Sequence, residues 1–281
     1  MRLASYSLLL LLGMIAAFAW GWALARRQGL PGRRALICLL LMAMSAPVGG
    51  RLFYAVAHRE LFLQEPGLLW SLDLEHLTMF GALVLAMVTG LLAARWLSLD
   101  VVRLADALSP GLGLGIGIAR VGCFLAGCCF GRITSVPWAV TFPRGSDAHV
   151  YQIATNLNVL FTGVQPVHPT QLYESVAALL GAALAVWLLR SKATPGSAFL
   201  AFLAWYAAFR TANEFVRAPS LGSSVPHWFF PALYGFVALV AVALLIHRRH
   251  AGPSQLADAS TCAQAPSSSC TPNPATSPID G

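Results

Sequence analysis

Arg51, Arg120 and Arg210 each stand inside an apolar run long enough to cross a lipid bilayer. A charged side chain at the centre of a membrane costs roughly 2.5–3.5 kcal/mol on insertion scales. Each of these arginines therefore needs a counter-charge, water or an anionic ligand. Tyr206, Arg210 and Glu214 are spaced four apart, which stacks them on one helix face. Within that set Glu214 either simply neutralises Arg210 or holds it ready for a ligand. Arg51 and Arg120 have no acid in helical reach on their own segments, so a partner must come across the bundle from Glu174 or Glu214. Three arginines against two glutamates leave a positive excess. That excess suits a phosphate or a similar anion, which arginine grips through its planar fork of donors.

Seven segments must carry these groups: about 5–24, 35–57, 77–98, 104–130, 169–189, 196–217 and 227–247, each close to the ~20 apolar residues of a spanning helix. The first follows Arg2 but lacks a small-residue cleavage pattern, so it reads as a retained helix and not as a signal peptide. The chain is 57% hydrophobic and 10% charged, against about 25% charged in soluble domains. The expected fold is an all-α integral membrane protein of seven transmembrane helices spanning residues 1–250. The net charge of +7 does not point to nucleic acid, because no basic face with interleaved aromatics lies outside the apolar runs. Arg26, Arg27, Arg33 and Arg34, then Arg95 and Arg103, Arg190 and Lys192, and Arg248 and Arg249 all fall on one side of a seven-span chain. By the positive-inside rule that side is the cytoplasm, with the N-terminus periplasmic and the C-terminus cytoplasmic. The 131–168 connection, with Trp138, Val140, Phe142, Val150 and Tyr151, is expected as an ordered periplasmic cap with little regular structure. Residues 251–281, rich in Ser, Pro, Ala and Thr, are expected as a disordered cytoplasmic tail in which Cys262 and Cys270 are free thiols.

This orientation places Tyr6, Arg51, Arg120, Tyr173, Glu174, Arg210 and Glu214 at similar depth beneath the outer face. Gly111, Gly113, Gly115 and Gly117 precede Arg120, with Gly122, Gly127 and Gly131 after it. They permit either close helix packing or a broken helix beside a cavity. Cys123, Cys128 and Cys129 read as small packing residues, as a redox set, or as ligands for a soft metal with His76 or His168 as a fourth. Cys38 reads as packing. His168, ahead of Pro169, is either a base or a hydrogen-bonding loop residue. Trp228 and Tyr234 read as interfacial anchors.

Several stretches carry a resemblance: ARVGCFLAGCCFGR at 119–132, GGRLFY at 49–54, HPTQLYE at 168–174, VPW at 136–138, FP at 142–143, and the Tyr206, Arg210, Glu214 spacing ahead of Phe215 and Arg217. Their order and separations, up to about residue 250, resemble the bacterial prolipoprotein diacylglyceryl transferases. The resemblance implies an inner-membrane enzyme without metal or organic cofactor. It would move the diacylglyceryl group of phosphatidylglycerol onto the lipobox cysteine thiol of a preprolipoprotein and release glycerol 1-phosphate. It also implies roles. Arg210, Glu214, Tyr206 and Tyr6 would be catalytic. Arg120, Arg51, Gly131, Tyr173, Glu174 and His168 would bind phosphatidylglycerol. The pattern departs at Cys123 and Ala126, where Asn is typical, at Cys128, where Glu is typical, and at Phe80, where His is typical. Those departures keep two other readings open: a membrane thiol, redox or metal protein on the same scaffold, and an inactive phospholipid binder.

Overall fold

A computed structural model describes residues 2–65, 67, 78–157, 159–219 and 226–250. Its helices are α1 (Arg2–Arg27), α2 (Gly32–Ala57), α3 (Arg59–Gln64), α4 (Met79–Trp96), α5 (Val101–Ala126), α6 (Asp147–Thr155), α7 (Val159–Thr162), α8 (Thr170–Arg190), α9 (Ser197–Val216) and α10 (Phe229–His250). No strand occurs among the described residues, only isolated bridges. Five helical segments are long and apolar enough to cross a membrane: Ser7–Arg27, Gly32–Val56, Val101–Ala126, Thr170–Arg190 and Phe229–Arg248. The chain is an integral membrane protein on that ground. α4 is shorter, at 18 residues. α9 has 20 residues, but Arg210, Asn213 and Glu214 dilute its apolar character. The expected tail at 251–281 and His76 lie outside the described residues, as does the side chain of Tyr6.

α5 is the axis of the bundle. It packs against α1, α8 and α9, while α2 pairs with α4, and α10 lies on α9. The glycine row explains how α5 serves two neighbours at once. A Cβ at Gly111 would strike the Ala17 carbonyl, and one at Gly115 would lie 3.0 Å from the Gly13 carbonyl, both on α1. A Cβ at Gly113 would come 2.6 Å from the Ala178 carbonyl and one at Gly117 3.0 Å from Leu179, both on α8. Four-residue spacing puts each pair on its own face. The row therefore packs backbone against backbone, and α5 stays helical through it.

The basic loops gather at one end. There Arg34 donates to the Leu97 carbonyl and Arg248 to the Pro195 carbonyl. Buried Asp106 on α5 accepts from the Gly196 N–H at 2.6 Å and the Phe199 N–H at 2.8 Å, capping the start of α9 from another helix. A core of Ala25, Leu30, Ala35, Cys38, Ala94, Leu99 and Leu104 fills the same end, so Cys38 is a packing residue as expected. Exposed apolar side chains such as Leu92, Trp96, Trp187, Phe236 and Leu239 cover the outer faces of the helices, which suits contact with lipid tails.

Two details depart from expectation. α5 stops at Ala126 and does not run to 130. Gly127 takes φ +80, its N–H bonds the Phe124 carbonyl, and the Cys128 N–H reaches back to the Cys123 carbonyl at 3.2 Å. This pairing is a Schellman stop, which the apolar run of cysteines and phenylalanines disguised. The 131–168 connection also holds more regular structure than expected. It contains α6 of nine residues, capped by Ser146, and α7. Its extended parts are stitched by Gly131 to Arg217, and by Val167 to both Ile133 and Val140.

Candidate active site

Glu174 is the centre. It sits one turn into α8, 2% exposed. α8 can begin there because Pro169 takes the position before its first residue, where a missing N–H costs nothing. One carboxylate oxygen of Glu174 accepts the Tyr206 hydroxyl at 2.5 Å and Nη2 of Arg120 at 2.9 Å. The other accepts Nη1 of Arg210 at 2.9 Å. Arg210 pairs in turn with Glu214 one turn along α9, and Arg217 approaches the same Glu214 oxygen at 3.7 Å. α5, α8 and α9 thus bring Arg120, Glu174, Tyr206, Arg210 and Glu214 together. Shared depth in the sequence anticipated the meeting of the arginines and glutamates, and four-residue spacing put Tyr206 on the face of Arg210.

The Arg120 and Arg210 guanidiniums both lean on protein carboxylates. Arg120, Arg210 and Arg217 against Glu174 and Glu214 still leave one positive charge in excess. The excess lies on the more open side. The side chain of Arg120 is 17% exposed and that of Arg217 25%, whereas that of Arg210 is 7% exposed. Arg210 is also clamped by α10, since its guanidinium carbon lies 4.9 Å from the Tyr234 ring centre and Nη2 donates to the Tyr234 hydroxyl at 3.3 Å. Tyr234 is therefore part of the cluster and not an interfacial anchor. A tyrosine near the start of an apolar helix carries either role, and only its rotation toward α9 decides.

The ion pairs around Glu174 come from α5, α8 and α9, whereas Arg51 is buried on α2, which pairs with α4. There Phe80, in the place of the expected histidine, meets Phe53 edge to face at 5.2 Å. Tyr173 and His168 form a separate polar patch. The Trp138 indole donates to the Tyr173 hydroxyl at 2.6 Å, and His168 Nδ1 lies 3.2 Å from that hydroxyl. His168 also fixes the loop through its backbone, accepting from the Gly131 N–H and donating to the Arg132 carbonyl. Gly131 is required there. A Cβ would lie 2.5 Å from the His168 side chain and 2.8 Å from the Val216 carbonyl. A cavity of about 360 Å³ is lined by Phe130, Gly131, Tyr151 and Gln152, and Glu174 is not among its lining residues.

The helix stop at Gly127 folds Cys128 and Cys129 back beneath Cys123. All three Sγ atoms lie within 4.8 Å of one another. Cys129 has a left-handed backbone, φ +58. Its carbonyl accepts from Thr170 at 2.8 Å, and the Cys128 carbonyl accepts from Gln171 at 2.6 Å. Nη1 of Arg120 lies 4.0 Å from Cys123 Sγ. Hydrogen bonds from Cys123 and then Cys128, with Arg217 and Arg120 nearby, hold the Cys129 thiol well below its ordinary range. The bonds to Cys123 and Cys129 push Cys128 upward. A continuous helix would set Cys123 and Cys128 at an awkward angle, and the stop removes that obstacle. Thr170, Gln171 and Arg217 went unnoticed as supports. Their only signal was their place inside the quoted motifs.

The family description that matches residues 1–248 is prolipoprotein diacylglyceryl transferase. Among similar proteins, the phosphatidylglycerol–prolipoprotein diacylglyceryl transferase of Geobacter sulfurreducens is 30% identical over 259 residues, covering 88% of this chain and 92% of the relative. Proteins of the same name from Vibrio vulnificus and Clostridium tetani are 31% and 25% identical, over 76% and 79% of this chain and 74% and 84% of their own.

Proposed function

The chain belongs to the prolipoprotein diacylglyceryl transferase family, and on that premise we propose how its residues run the reaction. It is an enzyme of lipoprotein biosynthesis, a phosphatidylglycerol–prolipoprotein diacylglyceryl transferase. The acceptor is the lipobox cysteine of a preprolipoprotein. Its sulfur bonds to the glyceryl carbon that carries the phosphate. The carbon–oxygen bond breaks, and glycerol 1-phosphate leaves with the electron pair and, finally, the thiol proton.

Charge builds on the departing phosphate oxygens, so donors fixed beside them lower the barrier most. Arg120 and Arg217 are the accessible cations and receive the phosphate. Glu174 holds Arg120 and Arg210 at fixed separation, and Tyr206 completes the hydrogen bonding of that buried carboxylate. Glu214 ties Arg210 to Arg217. Tyr6 and Arg51 complete the lipid site from α1 and α2. Tyr173 and His168 shape its rim. In this reading the chain crosses a bacterial inner membrane seven times over residues 1–250, with the basic loops in the cytoplasm and the N-terminus, the Glu174 cluster and the 131–168 cap on the periplasmic side.

The observation that carries this reading is the Arg120–Glu174–Arg210 bridge across three helices with a cation in excess. The test is incubation of purified protein with labelled phosphatidylglycerol and a lipobox peptide. Thioether product is expected, and it is lost in Arg120→Ala. No product beside an active relative removes the proposal.

A further inference from the structure

The three cysteines behind Arg120 have no assigned task in that reaction. Three thiols, not two, converge, which exceeds what a disulfide uses. Tetrahedral zinc–sulfur bonds of ~2.3 Å put sulfurs roughly 3.8 Å apart, and Cys123, Cys128 and Cys129 hold their Sγ atoms within 4.8 Å of one another. The backbone that presents them is fixed. Gly127 and Cys129 take positive φ, and buried Thr170 and Gln171 pin the carbonyls of Cys129 and Cys128. Three thiolates around a divalent cation carry one net negative charge. Arg120, 4.0 Å from Cys123 Sγ, supplies compensating positive charge.

We propose that Cys123, Cys128 and Cys129 bind one thiophilic divalent cation, Zn2+, whose fourth position takes the acceptor's thiol. Three protein ligands and an open fourth place is the pattern of zinc sites that act on substrate. A thiol bound there loses its proton and becomes the nucleophile. Arg120 lies beside Cys123 and beside the phosphate site, so thiolate and lipid carbon are brought to the same spot. The sulfur–carbon bond forms and the carbon–oxygen bond to phosphate breaks. The thiol proton passes to water or to the released phosphate. The cation keeps its oxidation state, so no oxidant or reductant enters. Among the described residues the group comprises the three cysteines, and His168 is not part of it. This inference rests on the transferase reading.

The test uses the full chain in detergent, without a polyhistidine tag and reduced before use. Bound zinc is measured, then exchanged for Co2+ as a spectroscopic probe. About one equivalent per chain is expected, with thiolate-to-cobalt charge transfer and the visible bands of a tetrahedral centre. Adding a lipobox peptide should shift those bands, and the same peptide with serine for its cysteine should not. Cys129→Ser should lose the charge-transfer band, and Cys38→Ser should keep it. The wild-type spectrum decides the site even if a variant fails to fold. Absence of cobalt binding to reduced protein overturns the inference, as does recovery of the thiols only as disulfide. A spectrum indifferent to the cysteine peptide overturns the acceptor role. Thioether formation at an undiminished rate in chelator-treated protein also sinks the metal while sparing the transferase. Failure of zinc-loaded protein to make thioether beside an active relative sinks the transferase reading, and the cobalt spectrum still decides the site.

Discussion

Replacing Glu174 by glutamine takes one negative charge from the point where three helices meet and leaves the side chain nearly the same shape. The wild-type carboxylate accepts from Arg120, Arg210 and Tyr206 while 2% exposed. Arg210 would keep Glu214, but Arg120 would lose the carboxylate it pairs with. Removing one partner of a buried ion pair costs about 3–5 kcal/mol. Part of that cost is spared here, because Arg120 is partly open and the amide oxygen of the substituted side chain still accepts one bond. A loss of roughly 2–4 kcal/mol is expected in transition-state stabilisation, which is about 30- to 1000-fold in kcat/KM at 1.4 kcal/mol per decade. The variant cluster would also hold three cations against one carboxylate. Phosphatidylglycerol should therefore raise the melting temperature of Glu174→Gln in micelles more than that of wild type, and zwitterionic phosphatidylethanolamine should not. The assays are thioether formation from labelled phosphatidylglycerol and thermal unfolding with each lipid. Wild-type turnover in Glu174→Gln, or equal response to both lipids, would refute the idea that this carboxylate organises an anion site.

Arg120→Lys keeps the charge but loses the planar fork, and kcat/KM should fall about 10- to 100-fold in the same assay. Tyr234→Phe keeps the ring under Arg210 and should cost less than about threefold, whereas Tyr234→Ala removes the cation–π contact and should cost about tenfold; equal effects would show the ring contact to be idle. Asp106→Asn weakens the cap on α9 at the far end of the bundle. It should lower stability by about 1 kcal/mol in thermal unfolding while leaving kcat/KM for phosphatidylglycerol near wild type.

Hydropathy was enough to locate the long helices, five of which are long and apolar enough to cross a membrane, because bilayer thickness fixes how long an apolar run must be. Depth was enough to gather Arg120, Glu174, Arg210 and Glu214, and four-residue spacing added Tyr206. Depth is only one coordinate. Rotation about each helix axis decides which neighbour a side chain meets, and lipid-facing and core-facing residues are both apolar here. That is why Tyr234 could not be told from an interfacial anchor. The end of α5 was hidden for another reason. Gly127 is a legible stop signal, but Cys128, Cys129 and Phe130 continue the apolar composition past it. Cys123, Cys128 and Cys129 stood out together in the sequence, but the turn that closes them into one cluster did not.

The glycine row of α5 has a consequence for how this protein can vary. At Gly111, Gly113 and Gly115 the helix meets main-chain carbonyls of α1 and α8, and main chain is the same whatever residues are exchanged nearby. That stretch works as a rail bolted on both sides, while Arg120, Cys123 and the turn beyond overhang its end. New side chains mounted on the overhang change what the enzyme can grip without shifting the rail, so altered acceptor chemistry is open to this scaffold by exchanges confined to 120–129.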